Sequence, residues 1–368
     1  MKTTLRQAAG SLLVVGLGGT ELTGLERAWL KLVRPAGIIL FRRNIAEPRQ
    51  ARALLADATA LCAPNSLRCV DVEGGTVDRL REALAAMPSA QAVANAARQT
   101  GKLALIREQG ELIARGAKTF GFNTTLAPVL DLALPESAEV MGTRTAAADP
   151  SGVVEYARGF LSGLAAHGVV GCGKHFPGLG SGALDSHLET PAIDRNMRKL
   201  WHNDLLPYRE LHDELPMIMV NHAAYPSTPS KNCPASVSPF WISTVLRKRI
   251  GYNGIIFSDD LEMGGILKFM PIEEASIAAI RAGMDLLEIC HSPELILRAY
   301  YALIAEAEQS PAFEKLLITH AQQTTRKRAR LFAGGTSAAL TPKQFDALRE
   351  RILRFSESIR KTQEADLA

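Results

Sequence analysis

The chain has 368 residues, 47% of them hydrophobic, which is enough apolar material to bury a sizeable core as one or two domains. Its 42 Lys and Arg against 38 Asp and Glu are spread along the sequence, so the net charge of +4 argues against a dedicated nucleic-acid face. Five scattered cysteines, Cys62, Cys69, Cys172, Cys233 and Cys290, form no CxxC pair, which argues against a disulfide framework or a zinc site and suits a reducing compartment.

At the N-terminus, Lys2 and Arg6 precede an apolar run over residues 12–17 that stops at Gly18 and Gly19. The run is too short for a signal sequence or a membrane span, so a cytoplasmic protein without a membrane partner is expected. Residues 12–16 read instead as a first strand. Further continuous apolar runs follow at 37–41, 67–72, 123–130, 169–175, 217–222, 254–258 and 284–290. Continuous rather than alternating apolar character fits parallel strands covered on both faces. Cys172 and Cys290 fall in these runs and read as buried, inert thiols.

Helical periodicity fills the gaps. Ala51, Leu54, Leu55, Ala58 and Leu61 recur after Pro48, which suits a first helical turn. Val153, Ala157, Phe160, Leu161 and Leu164 recur before Gly168, a suitable helix stop. No GxGxxG follows the first strand, which disfavours a dinucleotide fold. Eight strands alternating with helices favour an α/β fold, a single (β/α)8 TIM-type barrel over residues 1–335. Arg326, Lys327, Arg328 and Arg330 read as a solvated helix face. A C-terminal helical extension over 336–368 is signalled by Thr341 and Pro342. Its stripe of Phe345, Leu348, Ile352, Phe355 and Ile359 packs back onto the barrel or forms a dimer seam, so the expected state is a monomer or a weak homodimer.

Barrel enzymes carry their chemistry at the C-terminal ends of the strands. The polar residues placed there are Asp71, Arg144, Lys174 with His175, Asn221 with His222, and Asp259 with Asp260. Because adjacent strand residues point to opposite faces, only one of the two aspartates is expected to face a ligand. His175, His187 and His222 lack an HxH or HxxxH pair, so no metal or organic cofactor is expected.

Longer motifs are then recognisable: GTELTGLERAWLKLVRPAGIILFRRNI from residue 19, VDVEGGTVDRL from 70, LAPVLDL from 126, KHFPGLGSGALDSHLETP from 174, PASVSP from 234 and GIIFSDDLEM from 254. In this order and spacing they resemble the single-domain β-N-acetylhexosaminidases of glycoside hydrolase family 3. The resemblance implies a retaining displacement through a covalent glycosyl-enzyme, with Asp259 as nucleophile. It implies that His187 of the DSH motif, paired with Asp185, serves as acid/base. Imidazole titrates near neutrality and suits that exchange. Gly178, Gly180 and Gly182 would give the intervening loop freedom to swing. Asp71, Arg79, Arg144, Lys174 and His175 are the implied sugar ligands, with Glu73 either a contact or a structural salt-bridge partner.

Three positions depart from the family pattern: Thr76 and Leu179 replace an arginine and a histidine, and Thr143 replaces an aspartate. They bear on loop geometry and substrate preference. The implied substrate is a small carbohydrate with terminal non-reducing N-acetyl-β-D-glucosamine, within peptidoglycan (muropeptide) recycling. The alternatives are a β-glucosidase or glycoside phosphorylase of the same family and, from another class, a non-catalytic sugar-binding barrel.

Overall fold

The computed structural model describes residues 3–181, 191–332 and 339–367. Eight parallel strands close into a barrel. They are β1 (Leu13–Gly16), β2 (Gly37–Leu40), β3 (Leu67–Val70), β4 (Thr124–Thr125), β5 (Val170–Phe176), β6 (Met217–Val220), β7 (Ile255–Asp260) and β8 (Leu286–Ile289). Each pairs with the next in sequence, and β8 returns to β1. The α/β barrel anticipated from the apolar runs is the fold.

Alternation along the strands divides the core in two. Val14, Ile39, Cys69, Leu126, Cys172, Met219, Phe257, Leu286 and Cys290 fill the barrel interior. Their neighbours Val15, Ile38, Leu40, Val70, Ile218, Ile256, Leu287 and Ile289 join the larger cluster between barrel and helices. Both faces are therefore apolar, which is why the sequence shows runs rather than alternation.

Two expected strands are shorter than their runs. The 123–130 run yields only Thr124–Thr125, since Pro128 has no N–H for a ladder. Pairing resumes irregularly, with Lys174 N donating to Pro128 O at 3.1 Å and Leu130 N to Lys174 O at 2.5 Å. The 67–72 run ends at Val70, and the chain then folds into a hairpin of Val72–Gly74 with Val77–Asp78. Gly74 and Gly75 turn it at φ +93° and +62°, a conformation that side-chain-bearing residues rarely adopt.

Helices cover the outside. Pro48 opens Pro48–Thr59, and Gly168, at φ +64°, follows the end of Pro150–Ala166. The basic run is a correction to the sequence reading. Arg326 and Arg330 are exposed, but Arg328 on helix Pro311–Leu331 is fully buried. Its Nη1 donates to Ala36 O, Pro64 O and Asn65 O at 3.1, 3.0 and 3.3 Å. Lys327 Nζ reaches Gly254 O and Asp285 Oδ2, both at 2.9 Å. Ala36, Gly254 and Asp285 all precede strands, so the run closes the N-terminal floor of the barrel, where apolar stems and carbonyl partners compensate for burial. The last helix, Pro342–Leu367, lies against helices Ala90–Thr100 and Ala104–Thr119 with Leu348, Ile352, Phe355 and Ile359 buried.

Candidate active site

The barrel's two-residue repeat carries the apolar interior upward into a polar layer. Asp71 continues the inward phase of Leu67 and Cys69, Lys174 that of Cys172, and Asp259 that of Ile255 and Phe257. These side chains end in a cavity of about 450 Å³ at the C-terminal mouth, within the range of small-ligand sites. Asp71, Arg79, Arg144, Lys174, His175 and Asp259 all line it.

One wall is an ion network. Lys174 Nζ donates to Asp71 Oδ1 at 2.9 Å and lies 2.7 Å from Glu73 Oε1. Arg144 grips Glu73 with both arms, Nε to Oε2 at 2.8 Å and Nη2 to Oε1 at 2.9 Å. Burial would raise the Glu73 carboxyl, but Arg144 and Lys174 overcome it and hold Glu73 well below the usual carboxylate range. Burial would likewise depress Lys174, yet Asp71 and Glu73 hold its ammonium above its ordinary value. Glu73 is thus the salt-bridge hub of the wall. Arg79 completes it, with Nη2 at 4.0 Å from Asp71 Oδ2.

A further carboxylate, Asp131, fixes His175. Its Oδ2 accepts His175 Nδ1 at 2.6 Å and His175 N at 3.1 Å, while Oδ1 accepts Leu179 N at 2.6 Å. Asp131 can only accept here, so Nδ1 carries the proton and Nε2 is turned toward Arg144 Nη2 at 3.4 Å. The Lys174–His175 peptide is cis.

Asp259 is partly buried, and its Oδ1 accepts the Asp260 N–H at 3.0 Å. Burial raises its carboxyl, but the neighbouring His175, His222 and Lys174, with the Asp260 amide, leave it below the ordinary aspartate value. Asp260 differs from the simple alternation expected. The β7–β8 register slips between Leu286↔Phe257 and Glu288↔Asp260, so both aspartates line the cavity. Asp260 Oδ1 accepts Glu262 N at 3.0 Å, and burial with the nearby Glu262 and Asp259 charges pushes its carboxyl up to about 7.

Asn221 and His222 do not line the cavity, contrary to their placement among the strand-end groups. Asn221 Nδ2 donates to His175 O and Tyr225 Oη at 3.0 Å each. His222 Nε2 donates to Asp260 O at 2.9 Å, and Nδ1 lies 2.7 Å from Ser236 Oγ. Both brace neighbouring strands. Thr76 and Thr143 are exposed, whereas Leu179 contributes to the cavity wall. Asp185, His187 and Gly182 lie outside the described residues, which resume beyond them at Pro191.

Four lining or supporting groups escaped the sequence reading: Asp131, Phe41, Glu288 and His291. Phe41 and His291 meet with ring centroids 5.2 Å apart, and Arg43 lies 4.8 Å from the Phe41 centroid. Glu288 carried a visible signal, a lone acid inside an apolar strand, and Asp131 sat inside a quoted motif. Among the described residues no group of three His, Cys, Asp or Glu is arranged to hold a metal ion.

Residues 4–322 match the glycosyl hydrolase family 3 N terminal domain. The chain is 36% identical to a beta-hexosaminidase of Idiomarina loihiensis, over 76% of this chain and 83% of that one. It is 40% identical to a beta-hexosaminidase of Alkalilimnicola ehrlichii, over 77% and 82%. Its structure resembles that of a family 3 beta-N-acetylglucosaminidase from Paenibacillus sp. str. FPU-7, with a TM-score of 0.85 at 29% identity, covering 96% of this chain and 69% of that one. It also resembles NagZ from Neisseria gonorrhoeae in complex with N-trifluoroacetyl-D-glucosamine, with a TM-score of 0.72 at 30% identity over 86% and 98%. With the barrel, the strand-end cavity and these matches in hand, the chain belongs to glycosyl hydrolase family 3 and is a glycoside hydrolase.

Proposed function

We propose that this hydrolase is a retaining exo-β-N-acetylglucosaminidase that releases terminal non-reducing N-acetyl-β-D-glucosamine, with muropeptides of peptidoglycan recycling in the cytoplasm as its natural substrates. The observation that carries the reading is an ionised Asp259 in a sugar-sized cavity whose wall presents Asp71, Arg79, Arg144, Lys174 and His175. The relatives named beta-hexosaminidase and the complex with an N-acylated glucosamine support the N-acetyl preference.

In the first step Asp259 attacks the anomeric carbon as the glycosidic C–O bond breaks, and His187 gives its proton to the leaving oxygen. In the second, water attacks the same carbon, the ester bond to Asp259 breaks, and the water proton passes to His187. Asp185 orients the imidazole. Double displacement returns the β-anomer. The assignment of Asp185 and His187 rests on the DSH motif, and the chain enters that segment shortly after Leu179 at the cavity wall. The wall network supplies donors and acceptors for vicinal hydroxyls. Lys174, for instance, has three N–H donors and carboxylate partners in Asp71 and Glu73, which leaves donor capacity for a ligand.

The test is hydrolysis of 4-nitrophenyl β-glycosides of N-acetylglucosamine and glucose, with and without phosphate, by wild type and Asp259→Ala. The expected result is release from the N-acetyl sugar alone, unaffected by phosphate and at least about a thousandfold slower in the variant. Preference for glucose or dependence on phosphate contradicts the substrate or the acceptor. Absence of turnover contradicts the enzyme reading at this site.

A further inference from the structure

We propose that Glu288 is a specificity-determining residue of this site, its carboxyl group exchanging a hydrogen bond with a ring hydroxyl of the bound sugar from the β8 side. The inference rests on the reading that the sugar occupies the cavity beside Asp259.

The phase of β8 places the side chain. Leu286 and Cys290, two residues to either side, belong to the barrel interior, while Leu287 and Ile289 pack outward against the helices. Glu288 therefore points into the barrel, where it is 2% exposed and lines the cavity with Asp71, Asp259 and Asp260. A carboxyl at an otherwise apolar interior position costs stability unless it is hydrogen-bonded. Yet Glu288 Oε1 is buried and meets no protein donor or acceptor among the described residues. No structural duty of the strand falls on this side chain. The backbone does that work, with Glu288 N donating to Ser258 Oγ at 2.9 Å and Glu288 O accepting Leu261 N at 2.9 Å.

The groups around it define the complement. Asp260 and Asp259 face it from β7, Asp71 from β3, Cys290 from its own strand, and Lys174 is the cation that reaches it from β5. Lys174 is already held by Asp71 and Glu73. Burial, then the three aspartates, push the Glu288 carboxyl well above its ordinary value, which favours its protonated form. Its unpartnered Oε1 can accept from a sugar hydroxyl in either state, and the protonated carboxyl can also donate to one. Buried polar groups left open in a cavity, here Glu288 Oε1 and Arg79 Nε, are characteristic of ligand sites that lose stability to gain function.

The experiment compares wild type, Glu288→Gln and Glu288→Leu on 4-nitrophenyl N-acetyl-β-glucosaminide and its 3-, 4- and 6-deoxy analogues, with melting temperatures measured in parallel. Glu288→Leu should lose about tenfold or more in kcat/KM on the parent glycoside with no fall in Tm, and Glu288→Gln should stay within about fivefold of wild type. One deoxygenation should cost wild type about as much as the leucine substitution does, and should cost the leucine variant nothing further. Loss of Tm together with loss of activity would mark a structural residue and overturn the proposal. So would a leucine variant within twofold of wild type, or one penalised by each deoxygenation as heavily as wild type. Wild type that hydrolyses no glycoside would defeat this proposal and the proposed function together, whereas active wild type with an indifferent leucine variant would defeat this one alone.

Discussion

Asp131 meets three N–H donors with two oxygens, and through them it sets both the ring of His175 and the start of the segment that follows Leu179. Asp131→Asn would keep the shape but turn one acceptor into a donor aimed at another donor. An expected loss of about tenfold to a hundredfold in kcat/KM follows, in line with other groups that orient a ligand-contacting histidine. Steady-state kinetics with N-acetylglucosaminide would check it, and an unchanged kcat/KM would show that His175 needs no such anchor. At this scale the sequence was uneven. Asp71, Lys174 and Asp259 were legible because each is a polar residue at the end of an apolar run, and barrel geometry sends such residues to one mouth. Glu288 is visible as a lone acid inside an apolar strand, but its place in the site becomes legible only once the inward phase of β8 is known. Asp260 lines the cavity beside Asp259, which strict alternation does not anticipate, because the register slips between β7 and β8.

Among the elements, helix Pro311–Leu331 shows how charge can serve as mortar. Three carbonyls at the barrel floor, those of Ala36, Pro64 and Asn65, converge on Arg328, whose burial draws its guanidinium down to about 10. Arg328→Met would leave those acceptors without their donor. It is expected to lower stability by about 2–4 kcal/mol while leaving kcat/KM of the folded enzyme unchanged, because the contacts lie at the end of the barrel away from the cavity. Chemical denaturation together with kinetics would test both halves. The helix is legible in the sequence but its burial is not, since a run of cations on a periodic helix looks the same whether it faces water or a ring of backbone carbonyls. Strand existence was clear from the apolar runs, and strand ends were not. Pro128, and the glycine turn at Gly74 and Gly75, cut short two runs that hydrophobicity alone extends.

Over the whole molecule, buried carboxyls of opposite tendency set the pH dependence of stability. Asp260 is held at about 7 in the fold against 3.8 ordinarily, by burial first and then by Glu262 and Asp259. Between those values the folded state keeps a proton that the unfolded chain has lost, so this contribution to stability falls as pH rises from about 4 to about 7. Glu288, also raised, acts in the same direction above its ordinary value. Glu73, held low by Arg144 and Lys174, acts oppositely, and its contribution is lost as pH falls below the ordinary glutamate range. Above pH 5 the first tendency should govern this cavity. Asp260→Asn should therefore show a shallower fall in Tm between pH 5 and pH 8 than wild type, and identical slopes would contradict the environment assigned to Asp260.

In the proposed mechanism Asp259 becomes covalently bonded to the sugar. The direct measurement is mass spectrometry of the enzyme after incubation with a 5-fluoro N-acetylglucosaminyl fluoride, which slows hydrolysis of a glycosyl-enzyme more than its formation. A stoichiometric adduct on the peptide carrying Asp259, absent from Asp259→Ala, is the expected result. Turnover of substrate without an adduct, or an adduct on another residue, would contradict it.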